Sequence, residues 1–464
     1  MKSIFRYVIL ASVLLIAPLL LRAQTASSGS VILDEYVQEG LQNNLALRQE
    51  TLEISRITES LQQARSLFYP RVAFAPTYSL AAGGRRLQFP IGDLVNPIYN
   101  TLNRLTGQQQ FPTNLANVNE LLAPNNFHDT KISVQYALFN TDIRYNYLIQ
   151  KGLISVQEAR KQVVQNDVRY AIQTAYYQYL QTLEGLRILD NARNTLRELI
   201  RLNEKLVANN VATKETVTQA RYELSKLDQQ VAVARRNRES ASAYLNFLLN
   251  RDLTAPVAVD STLLNSRPGN VPAQVTPLPD LQLAAGKHRQ EINQLTYSLA
   301  AAQTAVKLNE ANAAIPHLFV GGNAGFQGFS YSFAQQAYAV VQLGLQWDLF
   351  RGYEKKAKIR QAKIQTDVLQ TRLLEAEKQI QLQVIQAYYD LEAARESLVA
   401  TQTGAANAEQ TFRILDSKYR NGQALLIEFL RVQNDRLTAQ LQQSLAQMDV
   451  LTKQAALNRA VSLN

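Results

Sequence analysis

Between Val340 and Leu430 two periodicities follow one another along the chain. Val341, Leu343, Leu345, Trp347 and Leu349 alternate with Gln342, Gly344, Gln346 and Asp348, the period of a strand with one apolar face. After a turn at Arg351-Gly352, Leu369, Leu373, Ala376, Ile380, Val384, Ala387, Leu391, Ala394 and Leu398 recur every three or four residues, which predicts a helix with one persistent apolar stripe. No proline interrupts it before Asn421-Gly422, so the helix spans about 70 residues and roughly 100 Å. A globular domain has no use for a single helix of that length. A strand fused to it points to a device with one end in a membrane.

The same succession occurs earlier. Leu138-Phe139 matches Leu349-Phe350 at an offset of 211, and Ala175-Tyr176-Tyr177 matches Ala387-Tyr388-Tyr389 at 212, as Asn209-Asn210 matches Asn421-Gly422. Upstream, Asp34 and Pro70 stand 246 residues before Asp280 and Pro316. These landmarks predict a two-fold internal repeat, with about 35 additional residues in the first copy. The first copy is placed at 24–250, with a helix over 34–67, strands at 71–82 and 130–140, and long helices over 142–249. A proline-rich linker, 251–279, leads to the second copy at 280–464, with a helix, strands at 316–329 and 338–350, and long helices over 352–460. Residues 83–128, rich in Gly, Pro, Asn and Gln, read as a long irregular loop.

All four strands divide their residues by face. Val72, Phe74, Tyr78 and Leu80 oppose Ala73, Ala75, Thr77 and Ser79; Ile132, Val134 and Tyr136 oppose Lys131, Ser133 and Gln135; Asn323, Gly325 and Gln327 share a face. Strands of about ten residues with bulky apolar groups outward and small or polar groups inward suit a tilted bilayer crossing. That assigns Val341, Leu343, Leu345 and Trp347 to lipid, and Lys131, Gln135, Gln342, Gln346 and Asp348 to a watery interior. Phe68, Tyr69, Phe139 and Phe350, near the helix-facing ends, suit an interfacial girdle.

Composition narrows the setting. Residues 1–23 carry Lys2 and Arg6, an apolar run from Tyr7 to Leu21 and a small-residue site before Gln24, the pattern of an export signal. No other stretch is long and apolar enough for a membrane helix, so a span must be built from strands. Zero cysteines exclude disulfides and thiolate metal sites. The formal charge of +10 is spread without a dense basic cluster, which argues against nucleic-acid binding. There is no phosphate-binding loop, and His128, His288 and His317 are isolated, so neither a catalytic constellation nor a cofactor is expected.

Four strands cannot close on themselves, and an open edge cannot face lipid. The fold expected is therefore an α+β membrane protein in which three chains share a 12-stranded β-barrel, because an eight-stranded dimer would be filled by its own side chains. A long antiparallel α-helical barrel would continue the tube. A second reading is a structural coiled-coil or adhesion protein of the envelope with no conducting lumen.

One resemblance sharpens this. Ser417–Gln433, SKYRNGQALLIEFLRVQ, is similar to the periplasmic turn of TolC-type outer-membrane efflux proteins, with its Tyr-x-x-Gly followed by an acidic residue. LDEYVQEGLQNNLALRQ (33–49) resembles the first helix of that family, and RSLFYPRVAF (65–74) its helix-to-strand proline junction. The resemblance implies a homotrimer in the outer membrane of a Gram-negative bacterium, extending into the periplasm. It implies a passive exit duct for efflux or type I secretion, working with a periplasmic adaptor and an inner-membrane transporter of RND or ABC type. In the family the periplasmic entrance opens by helix uncoiling. By position, Tyr419, Glu428 and Arg431 would form the gate, with Arg431 where a second acid often sits and Glu215-Thr216 at the first copy's acidic position. Asn209, Asn210, Asn421 and Gly422 would form the tips that meet the adaptor.

Overall fold

The computed structural model describes residues 30–122, 125–264 and 276–462. The expected export signal and the middle of the linker lie outside them. In chain order the elements are α1 (Val31–Asn43), α2 (Leu45–Ser66), β1 (Arg71–Ser79), β2 (Arg86–Phe89), α3 (Ile91–Thr106), β3 (Val118–Leu121), β4 (Phe127–Phe139), α4 (Thr141–Ala208), α5 (Lys214–Leu249) and α6 (Ser261–Leu264). They continue as α7 (Leu278–His288), α8 (Gln290–Ala314), β5 (His317–Phe329), β6 (Ala337–Gln346), α9 (Glu354–Arg420) and α10 (Leu426–Val461). No described helix is long and apolar enough to cross a membrane. The described residues form two compact units, one of 56–154 with 299–368 and one of the other described residues.

The first unit is built on a four-stranded antiparallel sheet in the order β1-β4-β5-β6, with β1 and β6 at its edges. Register explains where the strands stop. β6 ends at Gln346 because its partner β5 begins at His317, directly after Pro316, which has no N–H for a ladder. Trp347 and Asp348, expected inside the strand, therefore lie beyond it, although the alternation of residue types continues to Leu349. β1 stops at Ser79 for the same reason, opposite Phe127 at the start of β4.

The long loop expected at 83–128 holds regular structure. β2 and β3 pair as an antiparallel ribbon, α3 lies between them, and Gly107 closes α3 in the left-handed conformation at φ 65°. Composition hid this because the segment is held by asparagine side chains bonded to backbone rather than by an apolar core.

The second unit is helical, and its core falls into three clusters. Tyr36, Ile172, Tyr176, Leu180, Leu245 and Leu249 join α1, α4 and α5. Leu281, Val384, Leu391, Val450 and Val461 join α7, α9 and α10. Leu189, Leu196, Tyr419, Phe429 and Leu430 gather the ends of the long helices. The single helix expected over 34–67 is broken at Asn44 and the later one at Arg289, both in extended backbone. Each breaking residue stays buried because its side chain satisfies orphan carbonyls at the end of another helix. Asn44 donates to Leu248 O at 2.8 Å at the end of α5; Arg289 donates to Ala460 O at 3.1 Å at the end of α10.

The described part of the linker is stitched to this unit. Tyr36 accepts from Ala258 N–H at 2.8 Å, and Tyr176 accepts from Asp260 N–H at 3.0 Å while donating to Ala258 O. Burial pushes the Tyr176 phenol up to about 12. Asp260 caps α6, accepting from Ser30 and from Thr262 Oγ1 at 2.6 Å and Thr262 N–H at 2.8 Å. Burial alone would raise its carboxyl; these hydrogen bonds outweigh it and hold the group below its ordinary value. A lowered carboxyl stabilises the fold above the ordinary carboxylate range and loses that contribution as pH falls through the lowered value. Asp260→Asn is expected to lose about 1–2 kcal/mol at neutral pH, with the difference from wild type vanishing in acid, as thermal unfolding against pH would read.

Candidate channel surfaces and helical tips

Cross-strand register sorts the sheet into two faces. Val72, Val134, Gly322 and Val341 form one row; Phe74, Ile132, Ala324 and Ala339 the next; Tyr136, Val320 and Leu343, and then Leu318 and Leu345, follow on the same side. The opposite face carries Arg71, Gln135, Gly321 and Gln342 in one row, Ala75, Lys131, Gly325 and Tyr338 in another, and His317 with Gln346 at the end. Thus Val341, Leu343 and Leu345 share a face, and Lys131, Gln135, Gln342 and Gln346 share the other. Trp347 stands half exposed just past β6, and Asp348 pairs with Arg351 at 2.9 Å instead of joining the polar rows.

The polar face has features the alternation did not reveal. Lys131 is paired with Asp129, which also accepts from Tyr338 Oη at 2.8 Å, so its charge is locally balanced. Phe319 lies on this face with its ring against Gly344; a Cβ there would come within 2.3 Å of the ring. Gly344 is small because an aromatic ring occupies the space above it.

The two tips close with the same hydrogen bonds. Asn210 N–H donates to Val207 O at 3.0 Å and Val211 N–H to Leu206 O at 2.8 Å; Gly422 N–H donates to Tyr419 O at 3.0 Å and Gln423 N–H to Lys418 O at 2.8 Å. This is the Schellman arrangement, which requires a left-handed residue after the helix. Asn210 supplies it at φ 59° and Gly422 at φ 71°. Asn209 and Asn421 precede them and donate to Lys205 O and Ser417 O. A Cβ at Gly422 would meet no atom within 4 Å, so only the backbone resists substitution. Gly422→Ala is expected to lower stability by about 1–2 kcal/mol, and Gly422→Asn by far less, on the precedent of Asn210, measured by thermal unfolding.

The three expected gate residues differ in their surroundings. Tyr419 is buried in the last turn of α9 and donates to Asn203 Oδ1 of α4 at 2.6 Å, with Phe429 at 5.2 Å from its ring. Burial raises the Tyr419 phenol, and the bond to Asn203 acts the other way. Glu428 is exposed and accepts from Leu425 N–H at 3.0 Å, so its carboxylate caps α10. Arg431 is exposed one turn later, and among the described residues neither it nor Glu428 enters an ion pair. At the other tip Thr216 Oγ1 donates to Thr213 O at 2.8 Å, beside exposed Glu215. Asn203 had no signal in the sequence; its side chain is completely buried, and its Nδ2 has no partner.

A short antiparallel sheet with sorted faces is thus joined in sequence to helices of 68 and 67 residues. Residues 281–462 match the family model described as outer membrane efflux protein. Compared by sequence alone, the curated proteins offer no match. Among solved structures, the outer-membrane channel OprN is similar at 18% identity and TM-score 0.71 over 94% of this chain and 91% of its own. The CmeC outer membrane channel of Campylobacter jejuni is similar at 15% identity and TM-score 0.73, over 94% and 86%. The outer membrane protein VceC of Vibrio cholerae is similar at 15% and 0.69, over 92% and 95%. At these identities the structures establish the fold, and the family match covers residues 281–462. The chain therefore has the fold of solved outer-membrane channels, and its residues 281–462 are similar to the outer membrane efflux proteins.

Proposed function

We propose that three copies of the chain pool their sheets into a 12-stranded barrel, continued by their helices as a tunnel. The single observation that carries this is the open sheet, with edges at β1 and β6 and faces sorted along every row. Edge groups facing hydrocarbon would each lack a partner, and pairing β1 of one copy with β6 of the next removes both edges. Three such joints close a barrel wide enough for water. Val341, Leu343 and Leu345 then meet lipid, and Gln135, Gln342, Gln346 and the Lys131–Asp129 pair border the lumen. The matching breaks at Asn44 and Arg289 and the matching tips support an internal duplication.

The duct is passive, because the chain carries no nucleotide-binding motif, and it serves a tripartite pump or type I secretion system with a periplasmic adaptor and an inner-membrane transporter of RND or ABC type. Asn209, Asn210, Asn421 and Gly422 offer the adaptor its tips. The entrance is held by the buried Tyr419–Asn203 bond, with Glu428 and Arg431 on the exposed side of the same turn. Ion conductance of the purified protein in planar bilayers tests the proposal: stable channels from a trimeric preparation are expected, and a monomeric, non-conducting protein would overturn it.

A further inference from the structure

The structure between β1 and β4 leaves an apolar stripe uncovered. The inner side of α3 is fastened by asparagines beside a Tyr99–Phe111 ring contact at 5.5 Å: Asn96 donates to Leu115 O and accepts from Leu115 N–H, both at 2.9 Å, and Asn103 does the same with Phe111 at 2.8 and 3.0 Å. Asn117 closes the pattern by donating to Asp93 at 2.8 Å. The outer side is apolar. Leu94, Ile98 and Leu105 fall on one helical face and are 58%, 57% and 75% exposed. Leu87 and Phe89 of β2 are more than half exposed as well. A helix bathed in water keeps such a stripe against its own protein, so this face is built to be covered.

Position and charge say by what. β1 leads away from α2 and β4 leads into α4, so this segment stands at the end of the sheet opposite the helices. With the helices in the periplasm, that end meets the outer leaflet, where phosphates overlie acyl chains. Arg85 precedes β2, Arg86 opens it and Arg104 sits in the last turn of α3, all exposed; among the described residues Arg85 and Arg104 enter no ion pair, and Arg86 is held by Asn119. Apolar side chains flanked by arginines are the composition of a helix lying in a membrane interface.

We propose that α3 and β2 lie on the outer leaflet, with Leu94, Ile98 and Leu105 at the acyl boundary and Arg85 and Arg104 on anionic headgroups. The inference rests on the barrel reading, and the experiment separates the two. The chain has no cysteine, so a single Ile98→Cys variant of the full protein can carry one environment-sensitive dye. In phosphatidylcholine–phosphatidylglycerol bilayers containing a shallow spin-labelled lipid, the dye at Ile98 is expected to be quenched several-fold more than one at Asn100, away from the apolar face. A dye on Leu343→Cys reports barrel insertion. Quenching at Leu343 without quenching at Ile98 would overturn the docking and leave the barrel; quenching at neither would overturn both. An Ile98-to-Ile98 crosslink between copies in place of quenching would assign the face to a second copy and overturn the lipid contact. Arg85→Gln with Arg104→Gln is expected to reduce quenching several-fold only where phosphatidylglycerol is present, and an unchanged signal would remove the headgroup contact.

Discussion

Val341→Arg is expected to prevent assembly of the channel, while Gln342→Arg, one residue along, is expected to be accepted. The two positions have opposite directions in the same strand: Val341 shares a row with Val72, Val134 and Gly322, and Gln342 shares one with Arg71, Gln135 and Gly321. Val341 is 82% exposed in the single chain, near the middle of its strand. In a barrel that exposure is to hydrocarbon, and an arginine near the midplane of a barrel wall costs about 2–4 kcal/mol. The cost falls on each of three copies, so the yield of trimer after detergent extraction should drop by more than about tenfold. At Gln342 the same side chain would enter the polar row, where Arg71 already stands. Equal yields for the two variants, or the reverse order, would mean that the faces are assigned the wrong way round.

How much of this was legible in the residues follows from which interactions carry each element. The strands could be read because a sheet with one apolar and one polar face imposes a period of two, and the long helices because one apolar stripe persists through α9. Strand ends could not be read, since they depend on a partner: only the register shows that Gln346 is the last residue with a neighbour, His317. The helix breaks at Asn44 and Arg289 were hidden because each is stabilised by carbonyls about 200 and 170 residues away in sequence, at the ends of α5 and α10. The Asp260 cap of α6 went unread inside the proline-rich linker, because one of its partners, Ser30, lies 230 residues away. At the tips the turns were readable from Asn209-Asn210 and Asn421-Gly422, while the pairing of Tyr419 with Asn203 was not.

That pairing gives the proposed gate its strongest test. Tyr419→Phe is expected to raise the conductance of the closed channel, because it removes the donor to Asn203 without changing the ring's contact with Phe429. Asn203 is completely buried and its Nδ2 already lacks a partner, so losing the hydroxyl strips its remaining bond and weakens the closed tip by about 1–3 kcal/mol. The sign of the pH dependence follows from the phenol. Its ionisation is pushed above the ordinary value of 10.0 by burial, so the closed state keeps its full stability below that value and loses it only as pH rises through the raised one. Wild-type conductance should therefore be flat from about pH 6 to pH 9 and climb in stronger alkali. The phenylalanine variant should be leaky throughout and show no alkaline climb. A Glu428→Ala, Arg431→Ala double variant separates the buried bond from the exposed charges: current that changes with the double variant and not with Tyr419→Phe would place the closure on the exposed side of the turn instead.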